Sequence, residues 1–166
     1  MFSDKPTVRA HVDYMLNKAR KKLWILRHVR KAGLSTGDLL NTFNTFIRPV
    51  LEFAAPTYHP MLTLEMLDEI EGIQKRASKL IFGWNTHYDE IIESGKMELL
   101  DNGREKLTVN FARKTAKQER FTDWFEEKKY NGLNLRHEKK YEEKFARTER
   151  LKKSPLYHMR RKLNED

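Results

Sequence analysis

Apolar side chains recur at steps of three and four residues through the first part of the chain, which is the spacing of one face of an α-helix. In the first such stretch they are Val12, Leu16, Ala19, Leu23 and Leu26. Gly33 follows them, at a position where helices commonly stop. The pattern therefore predicts one long helix over residues 7–32.

A second helix is expected between a capping motif at residues 35–38 and two prolines, Pro56 and Pro60, which end it and stiffen the connection. Pro49 lies inside this helix and predicts a kink, because proline removes a backbone donor and pushes on the carbonyl four residues earlier. The apolar stripe of this helix is formed by Leu40, Phe43, Ile47, Val50 and Ala54.

A third helix is predicted from the N-cap Thr63 to a stop at Gly83. Its polar face carries Glu71, Lys75 and Lys79, each one turn from the next. We expect its apolar stripe to pack against that of the second helix. The stripe consists of Met66, Ile70, Ile73, Ala77, Leu80 and Ile81.

Two further helices follow in the pattern. Thr86 and Asp89 are expected to open a short helix that Gly95 closes, and residues 102–118 predict a fifth helix. The fifth helix is apolar on two sides and is therefore expected to be packed between neighbours. Its apolar residues are Leu107 and Phe111 on one side and Val109, Ala112 and Ala116 on the other.

The apolar content falls after Phe125, and a segment this polar cannot form a core by itself. A short final helix is expected after Ser154 and Pro155. These patterns predict an all-α fold: a bundle of about five helices in a domain over residues 1–125, and a basic C-terminal extension over residues 126–166. The extension is expected to be partly extended or helical.

Charge is distributed unevenly along the 166 residues, whose net charge is +9. Residues 1–34 carry +7, residues 35–100 carry −5 and residues 101–166 carry +7. Basic ends around an acidic middle favour a polyanionic partner, although lysine-rich helical proteins are often merely soluble. Charge alone leaves both interpretations open.

Basic side chains on polar helix faces are the candidate binding residues, because rows of cations can follow a phosphate backbone. No base-reading set is apparent, so we expect binding to nucleic-acid duplexes or RNA–DNA hybrids without sequence preference. Trp24 and Ile25 lie beside the first group and are expected to pack beneath another helix, with nucleic-acid stacking as the alternative. The candidates are Lys18, Lys21, Lys22, Lys75, Arg76, Lys79, Lys106, Arg113 and Lys117.

Other chemistries lack their sequence signatures. The chain contains no cysteine, no apolar run long enough for a membrane helix and no recognisable signal peptide, so an intracellular location is expected, nuclear or cytoplasmic. The histidines show no metal-ligand spacing, and His59 beside Pro60 is interpreted as a turn residue. We therefore expect no metal, no cofactor and no catalytic residue in this chain.

One region resembles a known family. The run Arg48–Phe53, with Pro56 and Tyr58 after it, is followed by a helix that contains Glu71, Gln74, Lys75, Arg76 and Ala77. This order is similar to the region after the palm in LINE-type, jockey-like non-LTR retrotransposon reverse transcriptases. The resemblance extends towards both ends of the chain, through residues 11–24 and 146–164.

The resemblance implies a thumb and C-terminal extension that hold the primer-template duplex, with the palm of the polymerase as a second expected partner. A palm needs paired aspartates for two metal ions, and no Asp-Asp pair occurs here, so no polymerase activity is expected. The alternatives are a helical scaffold that binds proteins and a retroelement remnant without function. Gly103 departs from the family, which carries an arginine there; this loses a charge and weakens the helix by about 1 kcal/mol.

Overall fold

The structure is a computed structural model that describes residues 8–128, 140–143 and 145–165. The predicted all-α class is confirmed, since these residues form helices and only one isolated β-bridge, between Glu127 and Tyr141. The α-helices are α1 Val8–Lys31, α2 Thr36–Thr42, α3 Arg48–Glu52, α4 Ala55–Tyr58, α5 Leu64–Phe82, α6 Tyr88–Glu93, α7 Leu100–Thr115, α8 Glu149–Lys152 and α9 Pro155–Glu165.

The described residues divide into two compact units that do not follow chain order. The first unit comprises the described parts of Met1–Phe53 and Leu62–Gly103, and the second comprises those of Ala54–Met61 and Arg104–Asp166. The second unit thus takes residues from both sides of the predicted boundary after residue 125, and that boundary stays a prediction. None of the helices in the described ranges is long and apolar enough to cross a membrane.

In the first unit, α1 packs against both α3 and α5 and is the main packing partner of α5. The five residues predicted on its apolar face are all buried, as is Met15 beside them. Helices α1 and α5 run in the same direction, because Arg9 near the start of α1 pairs with Glu69 at 3.0 Å and Arg30 near its end donates to the carbonyl of Lys79 at 3.2 Å. The apolar stripes predicted for the second and third helices therefore pack mainly on α1, and less on each other.

The second predicted helix is present but differs at its end. A π-helical turn, Phe43–Ile47, joins α2 to α3 immediately before Pro49, so the proline follows an interruption of the regular helix, as expected for a residue without a backbone donor. The prediction that Pro56 and Pro60 end this helix is wrong. It ends at Glu52, because Ala54 adopts a left-handed φ of 58°, and Pro56 instead lies in the first turn of α4, where its missing donor costs nothing.

Helix α5 begins and ends where the sequence predicts. The Thr63 hydroxyl accepts from the amide of Met66 at 3.3 Å, and Gly83 follows the helix with a φ of 108°. The apolar stripe is buried apart from Met66, which is half-buried. The expected cap at Thr86 is wrong, since its hydroxyl donates back to the carbonyl of Phe82 at 3.2 Å and His87 precedes α6 instead.

Gly103 is buried in the first turn of α7, where the ends of two side chains occupy the space that a Cβ atom would need. A Cβ atom there would overlap the side chains of Arg48 and Glu52. These two form an ion pair at 2.8 Å, and Arg48 also reaches Glu98 at 3.3 Å. The glycine that departs from the family pattern therefore accommodates a half-buried ion pair.

We expect Gly103→Ala to gain none of the roughly 1 kcal/mol of stability that alanine provides over glycine inside a helix. The added Cβ meets the ends of the Arg48 and Glu52 side chains, which must shift and so disturb a half-buried ion pair, and this cost offsets the gain. Gly72→Ala is the matched control, because Gly72 lies inside α5 and an added Cβ would contact nothing within 4 Å. Urea denaturation should show Gly72→Ala stabilised by about 1 kcal/mol. A Gly103→Ala protein stabilised to the same extent would contradict the packing assigned to Gly103.

In the second unit, the buried residues of α7 are largely polar. Arg104, Thr108, Ala112 and Thr115 are buried, and the Thr108 hydroxyl donates to the carbonyl of Arg104 at 2.8 Å. The expectation of two packed apolar sides is wrong, because Leu107 and Phe111 are exposed. Hydroxyls that bond within their own helix can be buried at little cost, so a polar stripe replaces the apolar one.

A small apolar cluster of Ala112, Phe125, Tyr141 and Met159 forms the core of the second unit, with Leu156 and Leu163 of α9 packed against it. The predicted final helix is thereby confirmed as α9, with Met159 as its buried apolar residue. Buried Arg160, the next residue, donates to the carbonyl of Trp124 at 2.6 Å. A charge-assisted bond of this kind ties α9 to the segment after α7.

Candidate nucleic-acid interface

The exposed side of the C-terminal half of α5 carries two of the predicted lysines. Lys75 and Lys79 lie one helical turn apart and are both exposed, while Ile73, Ala77 and Leu80 anchor the other side of the helix in the core of the first unit. Because α5 is fixed along its length by this packing, the two ammonium groups project from a rigid support. This arrangement positions two cations before any ligand binds.

Two aromatic rings lie beside these lysines. The Nζ atom of Lys75 is 5.7 Å from the ring centroid of Tyr88, and that of Lys79 is 5.7 Å from the ring centroid of Trp84. Trp84 is 71% exposed, so much of its ring faces solvent. Together with the intervening residues they line an open groove of about 590 Å³, formed by Lys75, Lys79, Trp84, Asn85, Thr86, His87 and Tyr88, which we call the α5 groove.

Tyr88 is held in place by a partly buried hydrogen-bond network. Its hydroxyl donates to the carboxylate of Glu71 and accepts from the side-chain amide of Gln74 at 2.8 Å. Gln74 is fully buried and also donates to the carbonyl of Glu98 at 2.8 Å. Burial and the bond to Glu71 raise the pKa of Tyr88, so the hydroxyl stays protonated and the network stays intact at neutral pH.

The same network occupies the carboxylate of Glu71, the acidic residue one turn before Lys75. The sequence permits an exposed pair between them, worth only about 0.3–0.5 kcal/mol. In the structure the Glu71 carboxylate accepts from Tyr88, from Gln74 and from the backbone amide of Leu100 at 3.3 Å. The remaining contact of Lys75 with the Tyr88 ring is worth about 0.5–1 kcal/mol at an exposed site, too little to keep the lysine from a phosphate.

The other predicted residues of the first unit lie elsewhere. Lys18 and Lys22 line a separate groove with exposed Tyr14, Phe46 and Phe53, and the Nζ atom of Lys22 donates to the carbonyl of Phe46 at 2.8 Å. Lys21 is exposed on α1, and Arg76 lies with Arg20 near the carboxylates of Asp68 and Glu69. The prediction that Trp24 and Ile25 pack beneath a helix is wrong, since both are exposed.

The remaining three predicted residues belong to the second unit. Lys106 and Arg113 are exposed on α7, and Lys117 is exposed in the turn that follows it. Arg113 and Lys117 line a cavity of about 480 Å³ together with Lys140 and Tyr141, whereas Lys106 does not. The nine predicted residues are therefore distributed over several surfaces. The α5 groove and the groove of Lys18 and Lys22 both combine two lysines one turn apart with aromatic rings. They differ in that Lys22 donates to the carbonyl of Phe46, whereas each lysine of the α5 groove contacts a ring.

One cluster of the second unit has no signal in the sequence pattern. His59, interpreted as a turn residue, does lie in a 3₁₀ turn, His59–Met61, but its ring also contacts Glu105 of α7, as does His158 of α9. Burial raises the pKa of Glu105, but hydrogen bonds from His158 and Lys162 and the nearby His59 outweigh this and leave its pKa below the usual value. The three residues are 46 and 53 positions apart, so no local spacing signals their contact.

Comparisons of the chain with models of protein families, with curated proteins and with solved structures found no match. The function proposed for this chain therefore rests on its own contacts and, for the polymerase family, on the sequence resemblance alone.

Proposed function

We propose that the α5 groove binds the backbone of nucleic-acid duplexes, RNA–DNA hybrids included, with little sequence preference. The observation that carries this proposal is the pair of exposed lysines, Lys75 and Lys79, one turn apart and flanked by the rings of Tyr88 and Trp84. Lysine ammonium groups that meet phosphates release condensed counterions, which supplies most of the affinity in binding of this kind.

The aromatic rings add contacts that do not depend on sequence. The exposed face of Trp84 can stack on a sugar or on a terminal base, since every base offers such a face. A lysine is a compact point charge without the planar fork that reads guanine edges, so the lysine contacts position the duplex and do not specify its sequence.

The sequence resemblance extends the proposal. We infer that the chain acts as a thumb-like part of a retroelement reverse transcriptase and holds the primer-template duplex, while a palm domain supplies the paired aspartates that this sequence lacks. The support is the run of residues around Arg48–Phe53 and Glu71–Ala77. Template-dependent nucleotide incorporation by the purified chain, after control for contaminating polymerase, would contradict this proposal.

Tryptophan fluorescence tests where the nucleic acid contacts the first unit. A variant with Trp24→Phe and Trp124→Phe retains only Trp84, and titration with an RNA–DNA hybrid at low salt should quench its emission because the bases stack on or shield the ring. The matched control carries Trp84→Phe and Trp124→Phe and retains only Trp24, which is exposed on α1. Its emission should change little. Quenching of Trp24 with no change at Trp84 would place the contact on the wrong surface.

The scaffold function remains the second candidate because of one specific surface. Exposed Tyr14, Phe46 and Phe53 line a groove of about 290 Å³ with Lys18 and Lys22, and exposed aromatic clusters are typical of protein-binding sites. The fluorescence titration separates the two functions. If no duplex or hybrid binds even at low salt, the nucleic-acid proposal fails and the scaffold function is the candidate to test next.

A further inference from the structure

Two imidazole rings and a carboxylate meet in the second unit, at the site we call the His–Glu–His cluster: His59, Glu105 and His158. The Nε2 atoms of both histidines lie 2.9 Å from the same oxygen, Oε2 of Glu105. One potential ligand atom from each residue lies within 4.8 Å of the other two. The side chains are 9%, 27% and 12% exposed in chain order, so the cluster is largely shielded from solvent.

This set of donor atoms is one that Zn²⁺ binds. Two imidazole nitrogens and one carboxylate oxygen, with water in the fourth position, form a common three-residue zinc site. Tetrahedral coordination with bonds of about 2.0–2.2 Å requires donor atoms about 3.4 Å apart. The two histidine–glutamate separations of 2.9 Å need to widen only slightly to meet this distance. The ligand atoms of the two histidines, which lie within 4.8 Å of each other, must come to the same distance.

Neighbouring charges orient the carboxylate. Lys162 lies 3.3 Å from Oε1 of Glu105, the oxygen that neither histidine contacts, and leaves Oε2 for the metal. Lys162 is also 3.0 Å from Glu165, which offsets part of its charge. An outer partner that fixes a ligating carboxylate is a usual feature of metal sites.

Arg161 opposes metal binding in a way that can be tested. Its guanidinium contacts Nδ1 of His158 at 3.3 Å, and because a guanidinium only donates, this nitrogen is an acceptor and the ring proton resides on Nε2. If a metal binds Nε2 of His158, the ring proton must move to Nδ1. There it would face the guanidinium of Arg161, which cannot accept a hydrogen bond. Arg161 must then turn away, and Glu165, 3.7 Å from its Nε atom, provides an alternative partner.

We propose that His59, Glu105 and His158 form a binding site for a divalent transition metal, with Zn²⁺ as the best-fitting ion. The ligands come from the turn after α4, from α7 and from α9, so one ion joins three segments that are distant in the sequence. A ligand that binds only the folded chain stabilises it; at 100 times its Kd, the ratio of folded to unfolded chains rises about 100-fold.

The test uses the full chain with two probes, Zn²⁺ in calorimetry and Co²⁺ in visible absorption. We expect one Zn²⁺ per chain, a higher melting temperature with Zn²⁺, and the visible bands of tetrahedral Co²⁺, which Zn²⁺ displaces. His158→Ala and Glu105→Gln should abolish the bands, whereas His28→Ala, at an exposed histidine of α1, should retain them. Bands that survive both cluster substitutions, or a wild-type chain that binds neither ion, would overturn the proposal.

Arg161→Ala provides a second readout that does not depend on removing a ligand. Because Arg161 occupies Nδ1 of His158, its removal should tighten Zn²⁺ binding several-fold, while circular dichroism shows an unchanged helical fold. If Arg161→Ala leaves the affinity unchanged or weakens it, His158 does not bind the metal through Nε2 and the site as proposed is wrong. This readout decides the matter even if His158→Ala fails to fold.

Discussion

Leu51→Ala and Ile73→Ala are each expected to lower the free energy of unfolding by about 2–5 kcal/mol. Leu51 is 0% exposed and Ile73 is 1% exposed, so each truncation removes a side chain that is fully out of water. The loss combines the transfer free energy of the deleted methyl and methylene groups with the cost of the cavity left behind. Losses of this size are a large fraction of the stability of an ordinary domain.

The two positions test the packing of the first unit at different helices. Leu51 lies in α3 and Ile73 in α5, and both helices pack against α1. If α1 is the common partner, either truncation should unfold the same cooperative unit, and the slope of the urea transition should stay close to that of the wild type. A changed slope would indicate that the two helices unfold separately.

Leu64→Ala is the control, because Leu64 begins α5 but is 82% exposed. Its substitution should change the unfolding free energy by no more than about 0.5 kcal/mol. The measurement is urea denaturation followed by circular dichroism. Wild-type stability in both core variants, or a loss at Leu64 equal to that at Leu51, would refute the core described for the first unit.

Local patterns were sufficient to predict α1 and α5. Helix α1 shows an uninterrupted apolar period before Gly33, and α5 has a hydroxyl cap at Thr63 and a glycine stop at Gly83, so the signals lie within a few residues of each end. The end of α3 could not be predicted in this way. Ala54 takes a left-handed conformation, which is unfavourable for a residue with a Cβ atom, and its carbonyl accepts from both the amide and the hydroxyl of Thr57.

Contacts between distant residues could not be read from the sequence. By sequence alone Gly103 is a weak helix former, whereas in the structure the Arg48–Glu52 pair occupies the space beside it. Gln74 lies beside Lys75 in the sequence, yet it is buried and holds Tyr88. In each case the role depends on a partner that the chain brings close only on folding.

The candidate site was predicted in part. Helical spacing placed Lys75 and Lys79 on one exposed face of α5, and the structure agrees. The flanking ring of Trp84 had no periodic signal, because this residue follows the glycine that ends α5 and the segment leading to α6 turns back along the helix. Periodicity also did not reveal that Lys18 and Lys22 line a different groove. The spacing of residues along one helix does not show which other helix packs beside each of its faces.

Replacing both Lys75 and Lys79 by alanine is expected to weaken duplex binding about 60-fold at 0.1 M salt, and by a similar factor for unrelated sequences. Each lost phosphate contact makes the slope of log affinity against log salt shallower by about 0.9, so two lost contacts change it by about 1.8. At 0.1 M salt, one logarithmic unit below 1 M, this change of slope lowers log affinity by about 1.8. The charge-matched control replaces Lys114 and Lys128, which are exposed in the second unit. It lowers the net charge equally and should change affinity far less.

The most direct test of the α5 groove is a salt titration of binding to a B-form DNA duplex, followed by fluorescence anisotropy, for the wild type and the Lys75→Ala/Lys79→Ala variant. If the wild type neutralises about four phosphates, log affinity should fall against log salt with a slope near −3.6. The variant should give a slope near −1.8, because two of those contacts are lost. Undetectable binding by the wild type at low salt, or the same slope in both proteins, would contradict nucleic-acid binding at this groove.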